Sequence, residues 1–204
     1  MNWKKEVRDR FYHCGGTAQG SEYANKQGKA CESAIFQSSF LTNLEYHDPA
    51  LKATEEEILD FYKKFGNFLN HLSHTDVPAG KAFFDLNDYH IFDLMGNVNR
   101  PNLEAHYDHI TPYLGKTNQQ FREVEIVAVT TEFGYITAIQ RVDGTAADGS
   151  PYDFSFRSTS MLRKFTDGWK FVHEHYSFPV DMATKIADFT GKQGATESVE
   201  FKKK

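Results

Sequence analysis

Ser150 to Asp181, SPYDFSFRSTSMLRKFTDGWKFVHEHYSFPVD, decides the fold. Two long runs alternate aromatic or β-branched residues with polar ones, and Thr166-Asp167-Gly168 stands between them. Alternation with period two marks strands, and Asp-Gly between two such runs marks a β-hairpin turn. The loop length then sets the register. A two-residue Asp167-Gly168 loop would put Thr166 opposite Trp169 and mix odd and even residues on each face. A three-residue loop, Thr166 to Gly168 with Gly168 left-handed, pairs Phe165 with Trp169 and keeps like parity together. That aromatic cross-strand pair favours the second reading. One face then carries Phe154, Phe156, Ser158, Ser160, Leu162, Val172, Glu174, Tyr176 and Phe178. The other carries Asp153, Arg157, Thr159, Met161, Phe171, His173, His175 and Ser177. Neither face resembles one left to water. One is expected to wall a ligand cavity, and the other to meet helices or a second subunit.

Composition narrows the rest. At 204 residues, 40% hydrophobic and 15% aromatic, the chain can form one domain with a substantial core and an appendage. Its net charge of −5 has no basic stripe, which argues against a nucleic-acid surface, and Lys202-Lys203-Lys204 reads as a solubilising tail. No apolar run reaches membrane length, and Met1-Asn2-Trp3-Lys4-Lys5 leads into no apolar signal core, so a cytoplasmic location is expected. Cys14 and Cys31 are too few for a disulfide framework and lack metal-ligand spacing; they read as free thiols.

Outward from the hairpin, everything from Phe121 onward reads as strand, over 121–131, 134–143 and then the hairpin itself. Before it, Thr54-Glu55-Glu56-Glu57 has the form of a capping box, opening a helix with Ile58, Phe61, Tyr62, Phe65, Leu69 and Leu72 along one stripe. That helix is expected to end near His74. Tyr89 to Met95 reads as a strand and Gly96 to Asn99 as a loop, and a second helix from Pro101 or Asn102 is expected to stop at Pro112. In the first 53 residues, Ala30, Ala34, Phe40, Leu41 and Leu44 recur at helical spacing, with Asp48-Pro49 ending the run. Gly15-Gly16-Thr17-Ala18-Gln19-Gly20 has neither a strand before it nor Gly-Lys-Ser/Thr after it, so it reads as a flexible link rather than a phosphate loop. Helices first and a meander after imply an α+β fold, with helices on one face of a curved antiparallel sheet.

The run Leu162-Arg163-Lys164, Asp167-Gly168-Trp169 and His173 to Thr184 resembles the C-terminal signature of SnoaL-like proteins. These share a cone-shaped fold with nuclear transport factor two, ketosteroid isomerase and scytalone dehydratase. Arg157-Ser158-Thr159, Gly144-Thr145 and Asp148-Gly149 fit the same pattern. The resemblance spans residues 54–184, leaving 1–53 as an N-terminal helical arm and 185–204 as a C-terminal tail.

Asp93-Leu94-Met95-Gly96, with Arg100 and a helix following, is similar to the ketosteroid isomerase segment whose aspartate is the general base. The resemblance implies that Asp93 projects into the cone and could move a proton next to a carbonyl. Asp93 could equally line the pocket without chemistry, cap the loop at Gly96 to Asn99, or pair with Arg100. The same alignment puts the isomerase's two oxyanion donors, a tyrosine and a protonated aspartate, near Phe68 and Ser160. Neither donor is kept, and Tyr62 lies roughly two helical turns earlier. Ser160, Tyr176 and a protonated Glu174 remain as hydrogen-bond sources for a different oxygen. The association domain of calcium/calmodulin-dependent kinase has a similar His-x-His strand, which implies Glu174 and Tyr176 inside the cone and His173 and His175 outside. Glu174 could instead pair with Arg163 or Lys170. His173 and His175 could chelate a metal, but no third ligand is identifiable, and hydrogen-bonded interface histidines are the plainer reading.

The expectation is therefore an α+β cone with Asp93 as catalytic base. Tyr176, Glu174, Ser160, Ser158, Phe156 and Tyr62 would contact substrate, with no metal and no cofactor. The partners expected are a hydrophobic small-molecule ligand and a second copy in a homodimer through the outer sheet face, without nucleic acid or membrane. Two functions stay open: cofactor-independent acid–base catalysis of isomerase, cyclase or lyase type on a hydrophobic carbonyl-bearing substrate, or a non-catalytic ligand-binding or oligomerisation module.

Overall fold

The computed structural model describes residues 36–37, 47–94, 98–99 and 116–190. The expected second helix at 101–112, Arg100, both cysteines and most of the arm lie outside the described residues. Two 3₁₀ turns, Pro49–Leu51 and Val77–Phe83, flank helix α1, Lys52–His71. The strands are β1 Phe36–Gln37, β2 His90–Phe92, β3 Val98–Asn99, β4 Lys116–Ala128, β5 Phe133–Thr145, β6 Pro151–Phe165, β7 Gly168–Ser177, β8 Val180–Asp181 and β9 Ile186–Ala187. Among the described residues the main sheet runs β1-β4-β5-β6-β7-β2-β3, and β8 pairs with β9 apart from it. The centre is the antiparallel meander that the alternation requires, whereas β1 joins β4 and β2 joins β7 in parallel. Helix before sheet, with the sheet curved over the helix, makes this an α+β cone.

Curvature comes from extra residues. Between Arg122 and Glu125 the β4–β5 register shifts, with Glu123 at φ 51°. A second shift lies between Met161 and Leu162 against β7, where Val172 is the unmatched residue. Each such bulge bends its strand and increases the local twist.

The second bulge also corrects the hairpin. The expected three-residue loop does not form: Phe165 pairs with Gly168, at φ +121°, and Trp169 pairs with Lys164. Near the turn, unlike parities therefore share a face, and Leu162 and Phe171 are opposite each other and fully buried together. Phe171 thus belongs to the core, not to the outer face where like parity would put it. Past Val172 the parity reverts, so Ser160 meets Glu174 and Ser158 meets Tyr176. A misread turn and an unforeseen bulge cancel, and the lower half of the inner face keeps the residues that simple alternation assigns to it.

Helix α1 starts earlier than a capping box at Thr54 would place it. Asp48 caps the preceding 3₁₀ turn by accepting from Ala50 N at 2.9 Å, so Asp48-Pro49 opens this unit rather than closing one. Thr54 is buried inside the helix. Glu57, freed from a box, accepts from Lys164 Nζ at 2.6 Å and Trp169 Nε1 at 3.1 Å, pinning the helix to the hairpin. Ile58, Tyr62, Phe65, Phe68 and Leu69 form the buried stripe. Leu72 lies just past the last turn and is 46% exposed, so the stripe ends one residue short of the sequence pattern. Phe65 meets the Phe171 ring at 4.8 Å and Tyr62 meets Phe121 at 5.0 Å, both edge-on. Close approach needs Gly134: a Cβ there would lie 2.7 Å from Ile58 Cδ1 and from Val127 O.

Sheet edges are closed from both ends of the chain. On β4, Asn70 of α1 accepts from Gln119 N at 2.6 Å and donates to Gln119 O at 3.0 Å, while β1 covers Phe121 and Arg122. On β6, beyond the end of β7, Ser155 N donates to Phe189 O at 2.7 Å, and the Phe178 and Phe189 rings stand 4.5 Å apart.

Candidate functional site

The most polar point of the inner face is Glu174, in the middle of β7 and 1% exposed. A buried carboxyl without partners would cost several kcal/mol, so its neighbours matter. Ser160, directly across on β6, donates to Oε1 at 2.7 Å. Tyr89, the residue before β2, donates to Oε2 at 2.7 Å. Tyr176 is a third hydroxyl bonded to the carboxyl. Burial pushes the Glu174 pKa up, and the three hydroxyls pull part of the way back. The result is a carboxyl in a ring of hydroxyls contributed by three strand segments, able to hold or pass a proton.

Helix α1 supplies the roof over this ring. Tyr62 is fully buried against Phe65, Phe121 and Phe171. Burial first, and then the Glu174 charge, raises its phenol pKa, while a hydrogen bond with Ser158 lowers it. Ser158 Oγ in addition reaches Ala138 O at 3.3 Å. Tyr176 is half-buried and its ring lies 5.0 Å from that of Phe156, which continues through Phe154 and Phe178 as an aromatic wall.

Five of the residues expected at substrate, Tyr176, Glu174, Ser160, Ser158 and Tyr62, therefore come together, and Phe156 joins them through Tyr176. Asp93 follows β2 immediately and is half-buried. Its expected partner Arg100 lies outside the described residues. Neither Arg163 nor Lys170 pairs with Glu174: Lys170 reaches Asp167 at 2.7 Å instead. Sequence reasoning missed Tyr89. Its signal was the buried parity of Tyr89 and Ile91, but the parallel register that sets Ile91 beside Glu174 is non-local and invisible in the chain order.

The outer face is of another kind. His90 and His173 stack with ring centroids 5.1 Å apart and their Nδ1 atoms 3.1 Å apart, and His173 Nδ1 also lies 3.1 Å from His90 O. Desolvation holds the His173 pKa down, helped by His90. Phe92 and Met161, 38% and 39% exposed, flank this pair with His175. Among the described residues no cluster of three or more His, Cys, Asp or Glu could hold a metal ion.

Residues 63–181 match the model of the SnoaL-like domain, more than half of the chain. The chain belongs to the SnoaL-like domain family. Solved structures of the wider NTF2-like superfamily give this SnoaL-like chain its fold neighbours. An NTF2-like protein of unknown function from Pseudomonas putida is 21% identical, with a TM-score of 0.55 over 67% of this chain and 94% of that one. A protein from Novosphingobium aromaticivorans whose name suggests a scytalone dehydratase is 14% identical, with a TM-score of 0.52 over 69% and 95%. The association domain of C. elegans CaMKII is 13% identical, with a TM-score of 0.51 over 64% and 99%. At these identities the likeness shows the shared fold alone. No curated protein matches the chain. Among the described residues no helix is long and apolar enough to cross a membrane.

Proposed function

We propose that this SnoaL-like chain binds a hydrophobic, oxygen-bearing small molecule on the helix-covered face of the sheet. Cofactor-independent acid–base chemistry would then run there, with Asp93 as base. The observation that carries the reading is the Glu174 hub: a fully buried carboxyl with a raised pKa, ringed by Tyr89, Ser160 and Tyr176. Buried networks of this cost recur where charge or protons are handled. Phe156, Tyr176 and Tyr62 supply apolar walls, and the hub supplies the polar anchor for a carbonyl or hydroxyl oxygen. Asp93, half-buried beside the end of β2, would take a proton from the neighbouring carbon. The reaction class is isomerase, cyclase or lyase. Cys14 and Cys31, too few for a disulfide framework, support a cytoplasmic setting. The test is hydrogen–deuterium exchange next to the carbonyl of 2-tetralone, followed by proton NMR. Wild-type protein is expected to accelerate exchange, and Asp93→Asn to lose about 100-fold or more while still binding the ketone. Undiminished exchange in the variant sinks Asp93 as base.

A second reading, a homodimeric binding or association module, is favoured by the exposed Phe92 and Met161 beside the stacked histidines. Exposed apolar groups clustered on an ordered sheet face suit burial against a second copy.

A further inference from the structure

We propose that Gln119 and Gln140 form a second polar seat on the inner face. It would take a flat ring bearing a hydrogen-bond donor and acceptor side by side, as a carboxamide does. The inference rests on the ligand-binding reading above and narrows the substrate class. Gln140 is 2% exposed and stands between Phe121 on β4 and Phe156 on β6. Its Nε2 has no hydrogen-bond partner, and neither has the buried Oε1 of Gln119. A buried amide left unmatched is costly, and most such groups in folded proteins are satisfied. Stability alone would favour leucine or methionine at Gln140.

Position makes the two amides one site. Gln119 pairs with Val142 and Phe121 pairs with Gln140, so the glutamines are diagonal neighbours on one face, with Cβ atoms roughly 7 Å apart. From that spacing both amides can reach a single planar group. As placed, Gln140 offers a donor and Gln119 an acceptor. Gln119 is held by its backbone: Asn70 takes both its N–H and its C=O, so that stretch of strand is fixed. Phe121 and Phe156 provide ring surfaces on either side, and Phe156 contacts Tyr176 at 5.0 Å. The aromatic wall thus links the glutamine seat to the Glu174 hub, and a ligand can be held at both ends.

The test titrates full-length protein, labelled at glutamine side-chain nitrogen, with 2-naphthamide and with 2-acetonaphthone, which keeps the acceptor and lacks the donor. The one added hydrogen bond, from the amide N–H to Gln119 Oε1, predicts about fivefold to tenfold tighter binding of the amide. Shifted Gln119 and Gln140 side-chain resonances are expected, with the preference gone in Gln119→Leu, at a half-buried position whose Asn70 bonds are backbone bonds. Gln140→Leu, which removes the donor to the carbonyl that both compounds carry, is expected to weaken both alike. If both compounds bind alike in wild type and variants while still perturbing Tyr176, the glutamines serve ordered water only, and the seat is overturned while the pocket stands. If neither compound binds wild type, the seat and the pocket reading fall together.

Discussion

The Tyr89 hydroxyl donates to Glu174 Oε2 at 2.7 Å, tying the residue before β2 to the centre of β7. Ser160 matches it on the other oxygen at the same distance. With both oxygens engaged, removing one hydroxyl leaves part of a buried carboxyl unmet. Tyr89→Phe and Ser160→Ala are each expected to cost about 1–3 kcal/mol in urea denaturation. Being coupled through one carboxyl, the two losses should not add in the double variant.

The pH dependence follows from the direction of the Glu174 shift. Its folded pKa is raised above the ordinary 4.5, so its contribution to stability is fully present below about that pH. As pH rises, the unfolded chain ionises first and stability falls until the folded carboxyl has ionised too. Glu174→Gln removes that loss. Denaturation midpoints of the variant, taken as pH rises from 4 to 8, should decline less than those of wild type.

Gly134 tests the seat of the helix. A methyl there meets Ile58 Cδ1 and the Val127 carbonyl at 2.7 Å, and only the side chain can give way. Gly134→Ala is expected to destabilise by about 1–3 kcal/mol in thermal or chemical unfolding. Shortening Ile58 to valine in the same chain should recover part of it.

On the outer face, Met161→Glu puts a charge beside Phe92 and His173. If two copies meet there, sedimentation should show dimer in wild type and monomer in Met161→Glu. The His173 pKa lies below its ordinary 6.5, so the stability it lends is present above that value and is lost as pH falls. Protonation there would charge the face, and the dimer should weaken between pH 7.5 and 5.5.

Much of this was legible in the chain because it is local. The alternation over 150–181 gives the hairpin, and the stripe from Ile58 to Leu69 gives the helix that roofs it. Three features were not. The loop at Thr166-Asp167 and the bulge at Val172 are decided by packing Leu162 and Phe171 together, which local turn propensity does not report. Glu57 looked like a capping residue, yet its partners Lys164 and Trp169 lie more than 100 residues away. Tyr89 reaches the hub only through a parallel strand pairing. The glutamine pair also depends on register, since Gln119 and Gln140 become diagonal neighbours only once β4 and β5 align.

The most direct measurement is a carbon-13 NMR titration of the Glu174 carboxyl, assigned with Glu174→Gln, with and without 2-tetralone. The account predicts a carboxyl titrating above the ordinary glutamate range, whose resonance moves when the ketone binds. A carboxyl titrating at its ordinary value and indifferent to the ketone would contradict it.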